Sequence, residues 1–430
     1  MTKKFLFLSA MVLMLTSCEG TLDDVFGEWS RPSGNTTPKS MLETPLTLEA
    51  TSAGTIVVNK PQTGMQYSLN GGAKTTLTAD PTNITVAAGD KLAFYGKGTT
   101  ITAYCSNGSD NTNIKGSGTG FTFKVYGNIM SLVDEEGFAT ATTLSAKWAF
   151  TGLFSDNVSL TDASGLQLPA TMLAKNSYQE MFMGCSNLTA APSKLPATTV
   201  TERCYARMFE GCKSLTTAPE LPATKLDSYC YSSMFNGCSS LTVAPALPAT
   251  TLAGLCYQGM FKGCTSLTTA PELPAETMEN SCYYDMFNGC KALTTAPALP
   301  ATTLANYCYT AMFANCLNLT TASALPATTL AENCYHSMFS NCPNLTTAPV
   351  LSASTLVKEC YALMFNGCSK LGSVTCKATS GFGAETPLYQ WLDGAGTAPG
   401  CEKKLYVVNG DSHNATDWQL NGGWQKVELP

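Results

Sequence analysis

The sequence predicts an α/β solenoid of about nine 26-residue units, preceded by a small all-β sandwich. Three observations predict it. Cys212, Cys238, Cys264, Cys290, Cys316, Cys342 and Cys368 stand 26 residues apart. Within each unit, apolar residues at four-residue spacing are followed by a proline-punctuated extended stretch. Ahead of the first unit, short alternating runs separated by turn residues take the place of that pattern. A fixed period in the twenties marks a solenoid, because one unit cannot bury its apolar face alone and stacking buries it between neighbours.

Residues 1–17 read as a signal peptide. Lys3 and Lys4 precede a mainly apolar run from Phe5 to Leu15, which is too short to span a bilayer. The run ends in Leu15-Thr16-Ser17-Cys18, which resembles the bacterial lipobox, so Cys18 is the expected lipid-attachment site. More than one acyl chain makes such an anchor durable. Glu19, Asp23 and Asp24 resemble the acidic flank of surface-exported lipoproteins of the Bacteroides group. The expected location is the outer membrane, lipid-anchored on its extracellular face.

Residues 18–44 are expected to be the lipidated N-terminus and a flexible tether, since Gly27 to Thr44 is rich in Pro, Ser, Gly, Asn and Thr without apolar periodicity. Residues 45–133 read as the β-sandwich. Alternating runs at Leu46–Glu49, Thr55–Val58, Gln66–Leu69 and Ile84–Val86 are separated by Asn70-Gly71-Gly72 and Ala88-Gly89-Asp90. Nothing in this stretch marks a site, so a spacer role is favoured over ligand binding. Cys105 reads as a buried thiol.

Composition limits the function. Only 13% of residues are charged and the formal net charge is −6; loss of Lys3 and Lys4 with the signal peptide lowers it by two more. Sparse, scattered Lys and Arg argue against nucleic acid as a partner. An uncharged polar surface suits neutral ligands such as glycans.

The repeat occupies residues 143–371. Its consensus is C-Y-x-x-M-F-x-G/N-C-x-x-L-T-T-A-P-x-L-P-A-T-T-L. Cys256, Met260 and Cys264 are four apart, which predicts one face of a short helix over Leu255–Lys262, with Phe261 widening the stripe. Gly263, or Asn315 and Asn341 in other units, stands where a helix end needs a left-handed residue. Leu267 to Pro271 then runs extended. Strands sit about 4.8 Å apart and packed helices about 8–10 Å, so a coil with both predicts a horseshoe with a concave sheet face.

The run Met286-Phe287-Asn288-Gly289-Cys290 with Leu293-Thr294 resembles the core of BspA-like leucine-rich repeats, as does Met234 to Cys238 with Leu241-Thr242. The likeness covers about half the chain. Two features depart from it: the period is longer than the family's commoner one, and L-T-T-A-P-x-L-P replaces the β-branched strand. The resemblance implies a surface adhesin or a host- or matrix-binding protein.

Nineteen cysteines in an exported chain invite disulfides. Eight helical residues from Cys256 to Cys264 span roughly 12 Å, beyond disulfide reach, and equivalent cysteines in adjacent coils should also be too far apart on a helical side. Ladders of buried thiols acting as small hydrophobes are therefore expected. Cys376 and Cys401 lie outside the repeat and are the best disulfide candidates. No metal site or cofactor is expected, because no two cysteines have zinc-ligand spacing and His336 and His413 are isolated. Catalysis lacks a nucleophile–base arrangement; Glu220 and Glu272 are replaced by Ala246 and Ala298 in other units. His336 should be exposed, and His413 should lie in a polar loop.

Tyr178, Tyr205, Tyr231, Tyr257, Tyr283, Tyr309, Tyr335 and Tyr361 recur once per unit. A ring column could form a binding platform. Its place beside core positions favours packing between coils with each hydroxyl at the rim. Ligand contacts are expected instead from variable positions such as Lys213, Lys291, Asn318 and Asn344. Residues 372–430 leave the period and should cap the stack, with Leu405–Val408 as a strand. The resulting expectation is a binding protein, not an enzyme, taking a host or matrix protein or a glycan. The alternatives are a structural surface-assembly protein and, more remotely, a glycan-processing enzyme.

Overall fold

The computed structural model describes residues 40–96 and 111–429. Cys18, with the rest of the signal peptide, lipobox and most of the tether, lies outside the described residues, as does Cys105. The first eight strands are β1 (Thr47–Ala50), β2 (Gly54–Asn59), β3 (Gln66–Leu69), β4 (Thr75–Thr76), β5 (Thr82–Val86), β6 (Lys91–Tyr95), β7 (Asn113–Ser117) and β8 (Phe123–Asn128). The alternating runs read from sequence are β1, β2, β3 and β5. Alternation buries Ile56, Val58, Ile84, Val86, Leu92, Phe94, Phe123 and Val125. Asn70 and Gly71, both at positive φ, turn the chain, and the Gly72 N–H closes the turn on the Leu69 carbonyl at 2.9 Å.

These strands form two sheets. One is β5-β2-β7, antiparallel throughout. The other joins β8-β1-β6-β3-β4 to a further strand, β10 (Leu160–Gln167), on the outer side of β8. After β9 (Thr143–Leu144), β10 enters from the start of the repeat and pairs parallel with β8. Thr143 and Leu144 pair in turn with β11 (Met172–Leu173) of the following coil. The first coil is thus hydrogen-bonded into the N-terminal sheet.

The repeat departs from the expected α/β architecture: the segment Leu255–Lys262 is not a helix. Its N–H groups alternate between two kinds of partner. Leu255, Tyr257, Gly259, Phe261 and Gly263 donate to the carbonyls of Asn280, Cys282, Tyr284, Met286 and Asn288 in the next coil, at 2.8–3.1 Å. Cys256, Gln258, Met260, Lys262 and Cys264 donate three residues back within their own coil, at 3.0–3.3 Å. Leu255, Gly259 and Gly263 have φ of 59°, 57° and 72°, one left-handed residue in every four. The segment is a ribbon of overlapping turns that advances four residues per repeat of its own. That period places Cys256, Met260 and Cys264 on the inner side as a helix would, so the apolar spacing identifies the buried face while the backbone differs.

The ribbon outcompetes the helix because the coils must approach one another. Phe235, Phe261 and Phe287 stack at 5.6–5.7 Å between centroids. Packed helices would hold them about 8–10 Å apart. Every second backbone donor is freed from local pairing and bonds to the neighbouring coil, as in a sheet. Backbone hydrogen bonds thus link the coils on the ribbon side as well, and the packed helices from which a horseshoe was expected are absent among the described residues. Opposite the ribbon, coils meet through isolated parallel bridges, including Thr217 to Val243 to Thr269 and Thr295 to Thr321 to Thr347.

The winding also continues past residue 371. Tyr361, Leu363, Phe365 and Gly367 donate N–H groups to the carbonyls of Pro387, Tyr389, Trp391 and Asp393. Trp391 stands where earlier coils have phenylalanine, and Thr386, Gln390 and Gly394 supply the left-handed positions. Strands β12 (Ser373–Thr375), β13 (Lys404–Val407) and β14 (Gln425–Glu428) stack in parallel. Their register pairs Ser373 with Lys404 and Lys404 with Gln425, steps of 31 and 21 residues. Unequal loops hide the coil from a 26-residue comb.

Candidate binding surface

The inner columns are sealed. All eight repeated tyrosines are at most 1% exposed, and their rings stack at 5.6–5.9 Å. They pack between coils as expected, but the hydroxyls are not at the rim. Those of Tyr178, Tyr205, Tyr231, Tyr257 and Tyr335 are buried without a hydrogen-bond partner among the described residues. These eight tyrosines therefore present no platform to solvent.

The cysteines also point inward. Every described cysteine is free, and all but Cys401 are buried, so Cys376 and Cys401 are not bridged. The expected spacing barrier between adjacent coils falls with the helix, since the coils are one ladder spacing apart. The second cysteine of each unit bonds to the coil before it. Cys264 Sγ donates to the Phe235 carbonyl at 3.2 Å and Cys290 Sγ to that of Phe261 at 3.1 Å. Burial pushes the Cys256, Cys264, Cys308 and Cys342 thiols up to about 12. They are held as neutral thiols, which are poor nucleophiles and poor metal ligands.

The histidines are not brought together. His336 is half-buried rather than exposed, and burial lowers its pKa; its Nδ1 lies 3.0 Å from Ser337 Oγ. His413 lies in the expected polar loop, and its ring is packed there. Its ring stacks on Phe382 at 3.8 Å, and Nδ1 lies 2.7 Å from the Asp411 carboxylate. Asp411 also accepts from Trp418 Nε1 at 2.8 Å and Lys426 Nζ at 3.2 Å. Burial opposes its charge, yet the hydrogen bonds from His413, Trp418 and Lys426 outweigh it and hold the carboxyl below its ordinary value. Trp391 Nε1 donates to the Trp418 carbonyl at 2.9 Å, so this cluster fastens the last coils to each other. Glu220 and Glu272 are exposed with the Ala246 coil between them.

What the solenoid presents to solvent is threonine. Leu215, Leu241, Leu267, Leu293, Leu319 and Leu345 are fully buried, and the two residues after each of them are exposed. Eleven of those twelve are threonine; the exception is Val243. The second residue of each pair is bridged in parallel to that of the next coil from Thr217 to Thr269 and again from Thr295 to Thr347, which aligns first and second residues as two columns. In the first column, Thr320 Oγ1 donates to the Thr294 carbonyl at 3.1 Å and Thr346 Oγ1 to that of Thr320 at 3.2 Å. A hydroxyl so committed offers only acceptor lone pairs outward. In the second column, the Thr269, Thr321 and Thr347 hydroxyls have no partner among the described residues and keep both roles.

No charged side chain interrupts these twelve positions. Ion pairs lie at the ribbon, as in Lys262–Asp285 at 2.7 Å, at its lead-in, as in Lys358–Glu332 at 3.1 Å, and in the stretch after the threonines, as in Lys194–Glu220 at 3.7 Å. Of the variable positions expected to make contacts, Lys213, Lys291 and Asn318 are exposed beside the threonine face. Asn344 is half-buried, with Nδ2 donating to the Leu317 carbonyl at 2.8 Å and Lys370 Nζ donating to its Oδ1 at 2.7 Å. The threonine columns stand in the consensus as T-T, but nothing in one sequence shows that both residues of the pair face outward.

Among known proteins, the model of the BspA type leucine-rich repeat region matches this chain in six copies, over residues 161–294 and 285–382. No curated protein and no solved structure matches it. The matched residues make up just over half of the chain and coincide with the ribbon-and-threonine coils, and the chain belongs to the BspA type leucine-rich repeat family.

Proposed function

We propose that this chain is a lipid-anchored protein of the bacterial outer surface that uses its solenoid to bind a protein or glycan ligand. The observation that carries the reading is the charge-free threonine face repeated on six consecutive coils. Repeats of this family are commonly surface adhesion and binding modules. The lipobox-like Leu15 to Cys18 supports an anchor at Cys18, and the low-complexity stretch to Thr44 supports a tether that lifts the coils off the membrane. Binding rather than catalysis fits the chemistry of the coils, whose thiols and phenols are buried and neutral. The test uses cells expressing the full chain on arrays of matrix proteins and glycans. Retention on a defined set of spots, abolished by Cys18→Ala, is the expected result. Cells that are retained nowhere, with chains that only self-associate, would overturn it in favour of a structural assembly role.

A further inference from the structure

We infer that β14 is a docking edge for a second copy of this chain, which adds its own β14 antiparallel about a two-fold axis through Val427. The inference stands apart from the ligand reading above. It rests on the backbone groups left open at the C-terminal end of the stack.

The rest of the stack is closed. The first coil is paired into the N-terminal sheet through β10 and β8. In the last coil, Asn414 Oδ1 accepts from the Thr416 and Asp417 N–H groups at 2.7 and 3.1 Å, and Asp417 Oδ2 accepts from that of Asn414 at 2.9 Å. No such closure covers β14, the outermost strand of β12-β13-β14. Gln425 and Leu429 donate their N–H groups to the Lys403 and Val407 carbonyls, both at 2.8 Å. Strand alternation then turns the N–H and C=O groups of Lys426 and Glu428 outward. They have no partner among the described residues. A row of open groups of this kind is a template for another strand.

The side chains select which strand. Lys426 is in register with buried Leu405 and Glu428 with buried Val407, so both lie on the core face. Lys426 Nζ is fixed there by Asp411 Oδ2 at 3.2 Å and by the Asp411 and His413 carbonyls at 2.9 and 2.7 Å. Glu428 Oε2 accepts from the Gly410 N–H at 3.1 Å. An antiparallel copy sets Lys426 opposite Glu428 of the second copy, and Glu428 opposite its Lys426. Both outward residues then form hydrogen-bonded pairs, each exchanging two N–H···O bonds. The other two-fold registers set Lys426 or Glu428 against itself, and like charges directly opposite are destabilising. Asp411 shares the Lys426 charge, so the match fixes register more than it adds affinity. On the opposite face Val427 meets Val427 of the second copy, with the half-buried Tyr406 in register beside each. The run Lys426-Val427-Glu428 is therefore its own complement under a two-fold axis. Pairing joins two solenoids end to end, with their sandwiches at the far ends. So short an edge makes a transient contact.

Sedimentation of the full chain should show a monomer–dimer equilibrium with half-association at about 10–100 µM. Glu428→Pro removes an outward N–H, keeps the bonds to β13, and should abolish the dimer. Glu428→Lys should weaken it about tenfold. Val427→Cys sets two thiols across a non-hydrogen-bonded pair, with Cα atoms about 4.5 Å apart, which is within disulfide reach. In oxidised glutathione it should give a disulfide-linked dimer. The wild type should not, and neither should Ser373→Cys, which is exposed on β12 away from the edge. A monomer at every concentration up to about 1 mM overturns the inference. So does a dimer that Glu428→Pro leaves intact, or a Ser373→Cys chain that cross-links as fast as Val427→Cys. Retention of cells on the arrays without dimers sinks this inference alone. Dimers without retention sink the ligand reading alone.

Discussion

At the scale of single residues, the phenylalanine and tyrosine columns make opposite predictions. Phe261 is fully buried between Phe235 and Phe287. Phe261→Ala should cost about 3–5 kcal/mol by denaturant unfolding, and an unchanged midpoint would contradict the stacking. The Tyr257 ring is equally buried, but its hydroxyl has no partner among the described residues. Removing a buried, unpaired hydroxyl recovers its desolvation cost, so Tyr257→Phe should stabilise by about 1 kcal/mol. A loss of stability would show that the hydroxyl is paired. Both residues are visible in the sequence as core candidates. The fate of the hydroxyl is not, because it depends on the neighbouring coil.

The thiols supply a pH prediction at the same scale. Cys256, Cys264, Cys308 and Cys342 ionise near 12 in the folded chain, against an ordinary 9.0. The unfolded chain therefore releases protons above pH 9 that the folded chain keeps. Stability from these groups is complete below about pH 9 and is lost as pH rises toward 12, by about 1.4 kcal/mol per thiol for each pH unit. The melting temperature should hold up to about pH 9 and drop steeply as pH rises from there toward 12. A flat profile there would mean that the thiols are solvent-accessible.

At the scale of the element, the turn ribbon replaces the helix, and Gly263 shows the reason. It has a φ of 72°, and a Cβ there would meet nothing nearer than the Gly237 backbone at 3.7 Å. Space is adequate, so backbone strain alone decides. Gly263→Val should cost about 1–2 kcal/mol, whereas Gly263→Asn should cost less than about 1 kcal/mol, because Asn tolerates the left-handed region. Asn315 and Asn341 already hold this place at 61° and 56°. Equal melting temperatures for the two variants would argue that position 263 is helical. The sequence advertises this left-handed site through its Gly or Asn and conceals the other two. Leu255 and Gly259 are matched by Tyr307 and Ala311 in another coil, also at positive φ. Those residues carry no turn signature, so they read as helix interior. The inter-coil hydrogen bonds that impose their conformation come from 25 residues away, where no local pattern reports them.

At the scale of the whole molecule, period and composition make most of the architecture legible. The 26-residue spacing locates the coils, and alternation locates β1, β2, β3 and β5. Two junctions are hidden. The parallel pairing of β10 with β8 joins the first coil to the N-terminal sheet, and the coil through Trp391 lies beyond the last regular cysteine. Each junction uses loops of unequal length, which erase periodicity while preserving register. The threonine face is hidden for another reason: in an ordinary strand, successive residues point to opposite sides, yet here both members of each T-T pair are exposed. The short bridges and flanking prolines prevent a regular strand from forming, since proline has no N–H to donate to a ladder.

The central structural claim is that the coils are turn ribbons cross-linked by backbone hydrogen bonds. Far-ultraviolet circular dichroism of the purified chain tests it most directly. The spectrum should lack the double minimum of α-helix. A helical signal sufficient for one short helix per coil would contradict the ribbon, and with it the close stacking of the tyrosine and phenylalanine columns.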